Sequence, residues 1–151
     1  MKGILLINLG SPTDLNLVSV KKYLSEFLGD ELVVDIPRIL RKILVNNLIV
    51  PFRAKKTLGA YKTIWDKNGS PLINNTRNLT EKVQKVLNHP VEFAMRYQEP
   101  SIELSLKKLA DKGCTTITIL PLYPHYAMAT TLTTIRKVEE INNVFGLGLK
   151  L

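Results

Sequence analysis

Apolar residues along this chain fall into two kinds of pattern. Residues 2–8, KGILLIN, form a near-continuous apolar run, the kind expected of a strand buried on both faces. VEFAM at 91–95 and TTITIL at 115–120 read the same way. Elsewhere apolar residues recur at three- and four-residue steps, the helical period. Leu17, Val20, Leu24, Phe27 and Leu28 mark a first helix, with Thr13 or Asp14 as its cap and Gly29 as its stop. Residues 31–36 read as extended. They lead into Pro37, which suits the first turn of a helix running to about Val50. A short helix is expected over 57–65, a turn over 66–71, and a third long helix over 76–87, ended by Asn88-His89-Pro90. Further helices are expected over 101–112, stopped by Gly113, and over 131–142. The tail NNVFGLGLKL has no clear helix period, and an edge strand is one reading of it.

The order is therefore β-α-α-α-β-α-β-α. Strands alternating with helices of this length imply a parallel sheet covered on both faces, an α/β class with three layers. No internal repeat or low-complexity segment interrupts it. At 151 residues the chain fits one domain, and 45% hydrophobic against 23% charged residues is enough apolar material for a real core.

The charge adds a second theme. A formal net charge of +8 concentrates anionic partners at the surface. No finger, RNP-like strand or helix-turn-helix signature supports nucleic acid as the partner. The cations gather in one apolar region, 37–56, with Arg38, Arg41, Lys42, Arg53, Lys55 and Lys56 among leucines and isoleucines. The pattern alone favours a helix packed on the sheet with a solvated edge over a lip or membrane-surface element. A single cysteine, Cys114, excludes an intrachain disulfide and a multi-thiolate zinc site, and suits a small buried filler in a cytoplasmic chain.

In a doubly wound sheet, ligands bind beyond the carboxyl ends of the strands. Three loops should share that rim. The first, Asn8 to Pro12, offers a close backbone approach at Gly10 and a hydroxyl at Ser11. The second offers Arg96 as a fixed cation and Tyr97. The third, PLYPHYAMATT, offers Tyr123, His125, Tyr126, Thr130 and Thr131. The set suits a flat, partly anionic ligand, with Arg96 able to grip a carboxylate in bidentate fashion. A phosphate loop, a GxGxxG turn, a GxSxG elbow and histidines at metal-ligand spacing are all missing. His89 receives no role. Glu99 and Glu103 read as charges favourable to a helix N-terminus.

Six segments then resemble the ferrochelatases in order and spacing: NLGSP, YLSEFLGD, VVDIP, AYKTIWDKNGSPL, FAMRYQEPSI and LPLYPHYAMATT. The resemblance runs from about Gly3 to Thr131. It implies a Rossmann-like, chelatase-like fold of two lobes around a cleft, of which residues 1–151 would be the N-terminal lobe. It also implies insertion of ferrous iron into a porphyrin, protoporphyrin IX or coproporphyrin III, late in haem synthesis. Iron and porphyrin would be substrates, with no permanently bound cofactor. By the same resemblance Leu9 faces the macrocycle. Arg53, Tyr61 and Ser70 line the porphyrin mouth, and Arg96 and Tyr97 lie beneath the ring. Residues 123–131 match the family's LYPQYS-x-x-TT wall, where His125 stands at a position that is commonly glutamine. The 37–56 region becomes an upper lip whose cations face propionates and a membrane surface.

The family's metal-site histidine, in a serine-alanine-histidine-serine motif, and its partner glutamate belong to a second half that these residues do not contain. The expectation is therefore a truncated or split ferrochelatase whose catalytic residues lie outside this sequence, a separately encoded C-terminal lobe being one source of them, and the GLGLKL tail agrees with an interrupted frame. Two alternatives stand beside this reading. One is a half-size homodimeric chelatase using His125 as its metal ligand. The other is a non-catalytic porphyrin-binding lobe.

Overall fold

The computed structural model describes all 151 residues. Its centre is a three-stranded parallel sheet in the order β2-β1-β3, formed by β1 (Lys2–Gly10), β2 (Val91–Tyr97) and β3 (Thr116–Pro121). β1 is the middle strand, which explains its uninterrupted apolar run: Leu5, Leu6 and Ile7 are all buried. The helices are α1 (Leu17–Gly29), α2 (Arg38–Ile43), α3 (Val50–Ile64), α4 (Pro71–Val86), α5 (Ile102–Asp111) and α6 (Thr133–Val144). On one side of the sheet, Leu5, Ile7, Ala94 and Ile117 pack with Leu106 and Leu109 of α5 and Val138 and Ile141 of α6. On the other side, Tyr97 joins Val20, Tyr23, Leu24 and Leu28 of α1, which in turn meet Val45, Val50 and Ala54. The α/β class and three-layer order expected from the sequence are both present.

Several local expectations are corrected. The cap of α1 is Asn16, whose side chain accepts from the Ser19 N–H at 2.8 Å. Asp14 instead takes the Ser19 hydroxyl at 3.2 Å. Residues 31–36 are turns rather than extended chain. The N–H groups of Val33 and Val34 both return to the Asp30 carbonyl, and Arg41 Nη1 holds the carbonyls of Val34 and Ile36 at 3.2 and 2.8 Å. That pairing buries Arg41, so it is a structural cation, not a surface one. α4 begins at Pro71, five residues earlier than periodicity suggests, because proline at a first helical position needs no hydrogen-bond partner for its nitrogen. The last helix is preceded by a π-helical turn, Met128–Leu132.

The largest correction concerns the basic region. It is not two helices with a break. α2 and α3 are joined by a π-helical segment, Leu44–Ile49, into one helical body. Pro51 stands two residues beyond that segment, and the residue four before it, Asn47, lies inside it. A proline ring crowds the carbonyl four residues earlier, and the wider π turn relieves that crowding. Nor does this body pack on the sheet. It lies on α1 as an outer layer, with Arg41, Val45, Val50 and Ala54 turned inward.

The tail is tied back to the sheet at one point. Ile117 N–H donates to the Lys150 carbonyl at 2.7 Å, and Lys150 N–H to the Thr115 carbonyl at 2.9 Å. This single parallel bridge beside β3 is the beginning of a fourth strand position. Cys114 is the buried filler its context suggests, packed close to Gly3.

Candidate functional site

The three loops anticipated from the sequence do follow the carboxyl ends of the three strands. Asn8 ties the end of β1 to α4 through a 3.2 Å bond to the Thr76 hydroxyl, and its Oδ1 accepts from the Leu9 N–H. Gly10 has φ 114°, and a Cβ there would sit 2.0 Å from the Tyr97 carbonyl oxygen. Its close approach is therefore to β2, its register partner, and not to a ligand. Leu9 is half-buried against the α1 side of the core. Ser11 is buried, and its Oγ faces the Tyr61 hydroxyl without forming a well-made hydrogen bond.

Arg96 is not a free cation. Its Nη2 lies 2.6 Å from Asp30 Oδ2, and its side chain is only 11% exposed. Nε and Nη2 also donate to the Thr133 hydroxyl at 3.0 and 2.8 Å. Thr133 in turn donates to Asp30 Oδ2, as does the Tyr97 hydroxyl at 2.9 Å. The carboxylate that Arg96 was expected to take from a ligand is the chain's own. The guanidinium also lies over the Tyr97 ring, 4.5 Å from its centroid. Tyr97 itself is 1% exposed, so its ring is part of the core. Burial alone would raise the Asp30 carboxyl. Hydrogen bonds from Thr133, the Leu32 N–H and Tyr97, together with the Arg96 charge, outweigh it and hold the group below its ordinary value.

Four tyrosines converge behind the rim. Tyr23 meets Tyr61 edge-on at 6.3 Å between ring centroids, Phe27 meets Tyr97 edge-on at 5.3 Å, and the Tyr123 hydroxyl lies 3.2 Å from that of Thr134. Burial pushes the phenols of Tyr23, Tyr61, Tyr97 and Tyr123 all upward, so the cluster is neutral at ordinary pH. The remaining sequence-derived positions spread outward. Ser70 is buried at the start of α4, while Arg53 is exposed on α3. Thr130 and Thr131 are half-buried in the π-helical turn. Tyr126 is 69% exposed. His125 is exposed beside it, and no group of three or more His, Cys, Asp or Glu side chains in the structure could hold a metal ion. His89 is an exposed loop residue.

Sequence reasoning missed Asp30, Thr133 and Tyr23. Asp30 ends the YLSEFLGD segment and reads there as an ordinary residue after a helix. Only the packing of α1 across the end of β2 brings it to Arg96, 66 positions away.

The sequence matches the ferrochelatase family over residues 1–146. The chain belongs to the ferrochelatase family. It is 48% identical over 143 residues to the ferrochelatase of Francisella tularensis subsp. holarctica (strain OSU18), an alignment that covers 93% of this chain and 43% of that protein. Ferrochelatases of subsp. tularensis (strain WY96-3418) and subsp. novicida (strain U112) are each 47% identical over 143 residues, with the same coverage. The chain thus spans less than half the length of the curated ferrochelatases it matches.

Proposed function

We propose that this chain forms one wall of a ferrochelatase cleft, binding a porphyrin into which ferrous iron is inserted for haem synthesis. The observation carrying this reading is that residues aligned with the ferrochelatases converge on one rim. Leu9, Ser11, Tyr61, Arg96, Tyr97 and Tyr123 all lie at or behind the carboxyl ends of the strands. Apolar and aromatic side chains backed by neutral phenols suit the flat macrocycle. Insertion exchanges two pyrrole protons for one ferrous ion, so it needs metal ligands and proton acceptors facing the ring nitrogens. The histidine and glutamate that the family uses there are not among these residues. The reading therefore gives porphyrin binding to these residues, and iron insertion to their combination with ligands of the kind the family carries elsewhere, in the cytoplasm.

The lip has its own support. Ile39, Ile43, Leu48 and Phe52 are 77, 54, 52 and 77% exposed, and they recur at steps of four, five and four along one helical body. Arg38, Lys42, Arg53, Lys55 and Lys56 are exposed beside them. No helix is long and apolar enough to cross a membrane. An apolar ridge flanked by cations instead suits peripheral contact with an anionic bilayer, and offers partners for porphyrin propionates.

Fluorescence titration of the chain with protoporphyrin IX and coproporphyrin III tests the core of this reading. Saturable binding weakened by Tyr61→Ala and unchanged by His125→Ala is expected. Absence of saturable binding overturns it. Co-sedimentation with phosphatidylserine vesicles, lost in Phe52→Asp, tests the lip.

A further inference from the structure

We propose that Asp30 is a positioning residue for the porphyrin floor, setting both the geometry and the net charge of Arg96 and Tyr97; this rests on the ferrochelatase reading above. Its side chain is 7% exposed, so it touches no ligand itself. It acts through what it holds. Oδ2 accepts from Arg96 Nη2, Tyr97 Oη and Thr133 Oγ1, while Oδ1 accepts from the Leu32 N–H at 2.8 Å. One carboxylate thus joins the end of α1, the end of β2 and the first residue of α6, immediately after the wall turn Met128–Leu132.

Two consequences follow from this placement. The first is steric. Arg96 stacks on the Tyr97 ring, and Thr133 receives two bonds from the same guanidinium, so the planes of floor and wall are fixed relative to each other. The second is electrostatic. Asp30 neutralises the buried guanidinium, so the floor offers no unmatched positive charge to a carboxylate. Exposed cations remain on the lip, among them Arg53, Lys55 and Lys56. The propionate edge of a porphyrin is thereby directed to the lip and its apolar body to the floor. Asp30 is then a determinant of ligand orientation, a role that simple fold support does not require.

The test compares wild type, Asp30→Asn, Thr133→Val and Thr133→Ser, each titrated with a tetracarboxylate and a dicarboxylate porphyrin. In Asp30→Asn the Arg96 charge loses its partner, and the preference for the tetracarboxylate should rise by about tenfold, the size of one charge-assisted hydrogen bond. Thr133→Ser should keep the wild-type ratio, and Thr133→Val should lose affinity for both ligands. A purely structural Asp30 lowers both affinities alike and leaves the ratio unchanged, which overturns the proposal. If wild type binds neither porphyrin, the functional reading fails, and Asp30 is judged in the free protein by the Arg96 Nε–H resonance. Its loss in Asp30→Asn supports the positioning role and its retention refutes it. Should Asp30→Asn not fold, the same resonance in Asp30→Glu, which shifts the carboxylate and leaves Thr133 in place, decides: lost if Asp30 positions Arg96 and kept if it does not.

Discussion

At the scale of single residues, the site is held by close fits that admit few substitutions. Gly10 is the tightest. A methyl group there would overlap the Tyr97 carbonyl, and φ 114° is costly for any side chain. Gly10→Ala should destabilise the fold by about 3 kcal/mol or more, since strain and overpacking each contribute on this scale; chemical denaturation measures it, and a change below 1 kcal/mol would refute the close approach. The ionisable groups set a pH window. The phenols of Tyr23 and Tyr97 are raised above 10.0 by burial. They contribute stability that is complete below pH 10 and is lost as pH climbs through their folded values. Asp30 works in the opposite sense: lowered below 3.8, it contributes stability above that pH and loses it as acid protonates the folded carboxylate. Urea midpoints against pH should therefore be flat between these limits and fall on both sides. Tyr97→Phe should lessen the alkaline fall.

At the scale of elements, the helical body over residues 38–64 shows why part of the fold was legible and part was not. The strands were readable because burial on both faces leaves an apolar run that needs no partner to recognise. The basic helices were split in error because their inward stripe changes step. Arg41, Val45, Val50 and Ala54 advance by four, five and four, and the five-residue step is the π turn. A search tuned to steps of three and four breaks there, and Pro51 reinforces the false boundary. The same shift runs through the outward ridge of Ile39, Ile43, Leu48 and Phe52, so its exposed face does not stand out in the sequence from the stripe of a core helix. Pro51→Ala tests the account. Restoring an N–H and removing ring crowding should stabilise the protein, by no more than the roughly 3 kcal/mol ascribed to an interior proline. It should also let the segment return toward α-helical bonding, visible as new protected amides near Asn47. No gain in thermal midpoint would mean that the π turn is fixed by the α1 contact instead. The polar hub escaped the sequence for a different reason. Asp30, Arg96 and Thr133 belong to separate elements, and no local periodicity records a meeting made by topology.

At the scale of the whole molecule, the sheet remains open along β3. Thr116 is paired through its single bridge with Lys150, but beyond it the outer edge of the strand carries no partner. Thr118 is exposed, Leu120 is 50% exposed, and Ile135 of α6 and Leu151 lie beside this edge at 36 and 43%. Unpaired backbone groups next to apolar side chains form a template for another strand. The net charge of +8 opposes close approach of two copies, and salt weakens that opposition. The isolated chain should therefore associate through β3 as concentration rises, and more so at high ionic strength. Sedimentation velocity at two salt concentrations measures this. Leu120→Lys places a charge on the edge and should return the chain to a monomer without lowering its thermal midpoint, because Leu120 contributes little to the core. A wild-type chain that stays monomeric in high salt would show that the edge is protected by its own twist or tail. If association is seen and Leu120→Lys leaves it intact, the lip ridge around Phe52 becomes the contact, and Phe52→Asp should abolish it instead.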